Sequence, residues 1–243
     1  MNSQQRDAFI TEIRGRFREA ADPERAKKAG VFFKSNPPIW GTPGGYSLAL
    51  GRELARRLKA EGEWEDVLAV AEALYASGYM EEGVCADEML GRFWKRFSQE
   101  DWDLFEHWID MFTCWGTVDS FCIKVLGYLV LRDGPPMERL HAWAASESLW
   151  HRRASLASLI RAAREPMYVQ EIYDLAERLL SDRQDLIQKV IGWTLKELCK
   201  GDVEATISYL RTRGERMTRL AFNYACEKMT PEEKGRAREG LPA

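Results

Sequence analysis

Several kinds of chemistry are ruled out by what this chain lacks. It has five cysteines, Cys85, Cys114, Cys122, Cys199 and Cys226, odd in number and without a C-x-x-C pair. They read as reduced thiols of a cytoplasmic protein, mostly filling core positions. The three histidines, His107, His141 and His151, are too scattered for a metal cluster, so no metal site is expected. No glycine-rich phosphate loop, dinucleotide fingerprint or G-x-S-x-G elbow occurs, and no cofactor is expected. Long apolar runs are missing too. The longest, 121–131, contains Lys124 and is too short to span a bilayer. The opening MNSQQRDAFITEIRGRF has no apolar signal segment. An excess of basic charge is also absent, with 35 Lys and Arg against 38 Asp and Glu. The total says little about a local basic surface, which acids elsewhere can mask.

What remains is a chain 45% hydrophobic and 30% charged, able to bury a large core as one domain over 1–243. Nearly every segment has helical periodicity, and no run of alternating β-branched residues competes for strand. A first helix is expected over 3–20, where Phe9, Ile13 and Phe17 recur on one face. A second should start at Pro23 and run to about Lys34. The segment 35–45, SNPPIWGTPGG, has three prolines and three glycines, which forbid regular helix. From Tyr46 onward, helices of ten to seventeen residues alternate with short turns. This pattern predicts an all-α, right-handed superhelix of antiparallel helix pairs, HEAT-like, with one concave face.

Three helices carry residues that their packing does not explain. Over 117–131, Asp119 falls in the apolar stripe with Cys122, Ile123, Leu126 and Val130. If that helix reaches back far enough, Trp115 is its i, i+4 neighbour. Asp119 then either faces a wet cleft or caps the helix start, where aspartate is favoured. Over 150–164, WHRRASLASLIRAAR holds four arginines and no acid. Arg153 lies near the apolar stripe and Arg152 well away from it. An inward Arg153 is either tied to a neighbouring helix or grips a phosphate. Over 186–200, Ile187, Ile191, Leu195 and Leu198 make the core face, and Trp193 lies opposite with Lys189, Lys196 and Lys200. That Trp either covers its neighbours' aliphatic stems or stacks on a sugar or base beside a phosphate track.

The intervals fit a repeat, with 34 positions from Asp119 to Arg153 and 40 from Arg153 to Trp193. Arg211, Arg213, Arg216 and Arg219, with only Glu215 among them, form either a solvated face or an extension of the phosphate rim. A carboxylate, aromatics and arginine suit chemistry at a cationic, electron-poor centre.

In this order the residues resemble the AlkD-like DNA alkylation repair glycosylases, HEAT-like repeat enzymes, most closely over 112–197. Trp115-Gly-Thr-Val-Asp119 is similar to the family's Trp-Asp-x-Val-Asp segment, and 149–154, LWHRRA, to its Trp-x-x-Arg-Ala segment. The most specific match is 186–197, LIQKVIGWTLKE, to Ile-Gln-Lys-x-Ile-Gly-Trp-x-Leu-Arg-Glu. The resemblance implies a catalytic cleft lined by Trp115, Trp193, Asp119 and Arg153. Two positions depart from the pattern. Gly116 stands where the family often has a second acid, and 37–45, PPIWGTPGG, replaces a Gly-x-x-Thr-Pro turn followed by basic residues.

It further implies excision of cationic N3- and N7-alkylated purines, bulky adducts included, from duplex DNA without flipping the base into a tight pocket. The expected partner is alkylated double-stranded DNA, met by a monomer in the cytosol or nucleoid with no membrane contact. DNA-binding residues would be Lys189, Lys196, Lys200, Arg152, Arg211, Arg213, Arg216 and Arg219. The rival reading is a catalytically inactive HEAT-like module that binds DNA or a protein along its concave face.

Overall fold

The computed structural model describes residues 1–239. Among these the secondary structure is helical throughout, without a strand. Backbone packing divides the chain into two compact units, Met1–Val125 and Leu126–Ala243.

The first unit holds α1 (Ser3–Ala20), α2 (Pro23–Gly30), α3 (Tyr46–Glu61), α4 (Trp64–Ala76), α5 (Met80–Leu90), α6 (Trp102–Met111) and α7 (Trp115–Phe121). Polar caps set several of its boundaries. Asn2 and Gln5 form a capping box at α1, and Asp22 caps α2 with Pro23 at its first position; each supplies acceptors for N–H groups that the helix start leaves open. Phe9, Ile13 and Phe17 of α1 are buried as their spacing predicts. Trp108, Phe105, Phe97, Tyr75 and Phe121 interlock as edge-to-face and tilted rings, so the unit is built on an aromatic core.

The second unit contains α8 (Gly127–Asp133), α9 (Met137–Ala144), α10 (Leu149–Ala157), α11 (Ile160–Arg164), α12 (Val169–Leu179), α13 (Asp185–Cys199), α14 (Val203–Arg213), α15 (Arg219–Ala225) and α16 (Pro231–Arg238). Helix α13 is its centre, packed by α10, α11, α12, α14 and α15. Gly192 makes the α15 contact workable, because a Cβ there would stand 2.5 Å from the Ala221 carbonyl oxygen. Only a residue without Cβ permits so close an approach.

Three boundaries differ from the sequence expectation. Helix α2 stops at Gly30, and Val31 to Phe33 close a turn through Phe32 N–H to Ala29 and Phe33 N–H to Gly30. The expected helix over 150–164 is broken at Ser158 and Leu159. Serines explain this, since Ser155 Oγ donates to the Arg152 carbonyl at 2.7 Å and Ser158 Oγ to the Ser155 carbonyl at 3.2 Å, and such back-bonding bends helices. Finally, Cys122–Leu126 forms a π-turn directly after α7. All five cysteines are buried and none is paired in a disulfide. Burial pushes the Cys226 thiol up to about 11 and raises Cys85, Cys114 and Cys199 as well, which leaves them unreactive at neutral pH. Among the described residues no helix is long and apolar enough to cross a membrane.

Candidate functional site

The first pair of residues stands on α7. This helix begins at Trp115, behind an N-cap at Cys114 whose side chain makes no capping bond. Asp119 is therefore the fifth residue of the helix and does not cap its start. It is half-buried, one turn beyond Trp115 on the same face. The helix owes its position to Gly83 of α5, where a Cβ would come within 2.7 Å of Thr117 Cγ2. Trp115 is fixed from the other side by the chain after α2. The Phe33 ring stacks on the indole with centroids 5.0 Å apart and planes at 24°, and Trp115 Nε1 reaches the Phe32 carbonyl at 3.5 Å.

The altered proline and glycine loop is well anchored. Glu81 accepts from the backbone N–H of Trp40 at 3.0 Å, of Gly41 at 2.7 Å and of Thr42 at 3.3 Å. The Trp40 indole donates to Glu82 at 2.9 Å and lies flat on Tyr79 with centroids 4.1 Å apart. Gly41 takes φ +74°, and a Cβ would meet the Asp22 carbonyl at 2.2 Å. The loop, α2 and the start of α5 line an open cleft of about 490 Å³ that ends on Tyr46 to Leu48.

One cationic cluster here escaped sequence reasoning. Glu88 is met by Arg92 at 2.9 Å and by Arg52 at 3.7 Å, and Lys124 is ion-paired to the same carboxylate. Three cations meet one acid, so the cluster keeps net positive charge. Burial alone would raise Glu88, but Lys124 and Arg92 hold it below the usual carboxylate range. The only sequence signal was the repeated arginine of α3, which looks like any solvated face.

The second pair belongs to α10 and α13, which pack together. Arg153 is buried, at 4% exposure, and its Nη1 donates to the Leu186 carbonyl in the first turn of α13. Trp193 is half-buried two turns further along, in the same stripe as Lys189, Lys196 and Lys200. Its indole Nε1 donates to Glu197 Oε1 at 3.2 Å. Glu197 is buried and also paired with Arg164, at 3.2 Å, and with Lys200. Burial would raise its carboxyl, yet the two cations keep it ionised and below its ordinary value. The acid that closes the 186–197 segment thus orients the Trp at its middle.

The outlying basic residues are less uniform than their spacing predicts. Arg152 gives Nε to Asp182 at 2.7 Å and Nη1 to the Ser146 and Glu147 carbonyls, each at 2.8 Å; it staples the turn before α10. Lys196 pairs with Glu227 at 3.0 Å and lies over the Tyr224 ring. Arg213 and Arg216 share Glu177 of α12, and Arg211 is 3.8 Å from Glu239. Lys189 is half-buried and Arg219 exposed. The pairing of Arg152, Lys196, Arg211, Arg213 and Arg216 with acids shows how a basic segment sits within a chain of net charge −3.

Comparison with known proteins follows the same lines. The family model described as DNA alkylation repair enzyme matches residues 13–229. A solved structure described as a predicted DNA alkylation repair enzyme from Enterococcus faecalis superposes with a TM-score of 0.76 at 20% identity. The match covers 87% of this chain and 97% of that one, so the fold is shared. No curated protein matches.

Proposed function

Since this chain belongs to the DNA alkylation repair enzyme family, we propose that it is a monofunctional DNA glycosylase. Its substrates are cationic N3- and N7-alkylated purines in duplex DNA, such as 3-methyladenine and 7-methylguanine, with bulky adducts tolerated. The observation that carries the reading is the Trp115 and Asp119 pair on α7, an oriented indole one turn from a half-buried carboxylate. As the fifth residue of α7, the acid is not the cap of that helix.

An alkylated purine already bears positive charge, so it leaves without a general acid. As the glycosidic bond breaks, its electron pair goes to the purine nitrogen and neutralises the base, while positive charge grows on the sugar. Asp119 stabilises that charge and orients a water. The water oxygen bonds to the anomeric carbon, its proton passes to solvent, and an abasic sugar remains. Trp115 and Trp193 present electron-rich faces to the cationic sugar. Arg153 takes the phosphate beside the lesion, with the plane of its guanidinium set by Leu186. No tight base pocket is invoked, which distinguishes the reaction from excision by base flipping. The protein would act as a monomer in the cytosol or nucleoid.

The test is release of 7-methylguanine from methylated duplex under single-turnover conditions. Asp119→Asn should slow release roughly 100-fold or more while leaving affinity for an abasic analogue within a few-fold. Equal rates would remove Asp119 from the chemistry, and no release by the unsubstituted chain would favour a binding module.

A further inference from the structure

The basic residues proposed above for DNA contact, from Arg152 to Arg219, all belong to the second unit. The first unit carries cations of its own. On α3, Arg57 is committed to Glu12 at 2.5 Å and Glu53 to Arg16 at 2.5 Å, both partners lying on α1. Arg52, Arg56 and Lys59 recur at i, i+4 and i+7, which sets them on one face, and all three are exposed. That face runs about 10 Å along the helix axis. Lys59 lies over the Phe93 ring, 5.2 Å from its centroid, so the stripe meets the turn that follows α5.

The neighbouring cluster around Glu88 has cationic donors to spare. Its Oε2 takes Lys124 and its Oε1 takes Arg92 at 2.9 Å, while Arg52, at 3.7 Å from the same oxygen, is beyond hydrogen-bonding reach. Two oxygens cannot employ the donors of three cations, since each guanidinium alone carries five N–H groups. The Arg52 and Arg92 side chains are about half exposed, which leaves donors open to solvent. Glu88 thus gathers the cations without neutralising them. Lys124 stands in the π-turn, five residues beyond Asp119.

Cations gathered at a surface with unused donors suit a polyanion, and duplex DNA carries one negative charge for about every 1.7 Å of its axis. We propose that Arg52, Arg56, Lys59, Arg92 and Lys124 form a second phosphate-binding surface, on the first unit, that grips the DNA backbone whether or not the duplex is damaged. It extends the DNA contact of the proposed glycosylase and takes from that reading only the identity of the polyanion. Phosphate contacts carry no base information. The surface therefore supplies affinity for any sequence, and discrimination of a lesion is left to Trp115, Asp119 and Trp193.

The experiment measures binding of the full chain to two labelled duplexes of one sequence, undamaged and with a tetrahydrofuran abasic analogue, across a salt series. In R52A/R56A the slope of log affinity against log salt should become shallower by about 0.9 for each phosphate no longer neutralised, on both duplexes alike. The ratio of the two affinities should stay within about two-fold of the parent's. R52K/R56K keeps the charges and should keep the parent's slope. Both positions are exposed, so circular dichroism should match the parent chain. An unchanged slope in R52A/R56A, a loss confined to the abasic duplex, or equal losses in the lysine and alanine variants overturns the proposal. So does an absence of DNA binding by the parent, or arginine-dependent attachment to anionic phospholipid vesicles with DNA affinity unaltered. If the parent binds but does not excise, the glycosylase reading fails and this surface stands; if it excises and the slope is unmoved, the reverse holds.

Discussion

Trp193 and Glu197 stand one turn apart on α13, and the indole Nε1 donates to the buried carboxylate at 3.2 Å. That carboxylate is clamped in turn by Arg164 and Lys200, so a single acid fixes the plane of the Trp and the charge around it. Glu197→Ala should leave two cations without their acid and cost about 2–3 kcal/mol in urea denaturation. Excision should fall roughly ten-fold. Glu197→Gln keeps an acceptor for the indole and should restore most of the excision rate while remaining less stable. Equal excision by the two variants would deny Glu197 a positioning role.

Arg153 has two candidate duties, and one substitution separates them. Arg153→Ala removes the bond to the Leu186 carbonyl and should reduce unfolding free energy by about 1–2 kcal/mol. If the guanidinium also holds a phosphate, the salt slope of DNA binding should fall by about 0.9. A stability loss with an unchanged slope would confine it to joining α10 and α13.

The contact between α13 and α15 depends on Gly192. Gly192→Ala would push a methyl group into the Ala221 carbonyl, 2.5 Å away, and Tyr224 Cβ, 2.4 Å away. We expect a loss of about 1–3 kcal/mol, seen as a lower thermal midpoint. Trp193 is the adjacent residue, so excision should decline with it.

Acid should loosen α1 first. Asp66 is buried and receives the amino terminus at 2.6 Å and Arg6 at 2.7 Å. Burial would raise its carboxyl, but these partners and the Glu63 N–H hold it at about 2. A depressed folded value means that the unfolded chain binds the proton more readily. The stabilisation is therefore complete above the ordinary value of 3.8 and is lost as pH falls towards about 2. Asp66→Asn should cost about 1–2 kcal/mol at neutral pH and flatten the acid limb of a stability profile between those values.

Fold class was legible in the sequence, because helix periodicity is local; the proposed site residues come from short aromatic and charged segments that are local as well. The stripe of Trp193 with Lys189, Lys196 and Lys200 follows from 100° per residue alone. Local spacing also paired Trp115 with Asp119, though the point where α7 begins decided whether that pair exists. Ionic partners were not legible. Nothing local tells that Arg152 is committed to Asp182, or that Arg213 and Arg216 converge on Glu177, since partners 30 or more positions away are chosen by packing. The same holds for the break at Ser158, the π-turn after α7, and Phe32 facing outward while Phe33 turns in. A side chain's pattern sets which face of its helix it occupies; only the surrounding helices decide what that face meets.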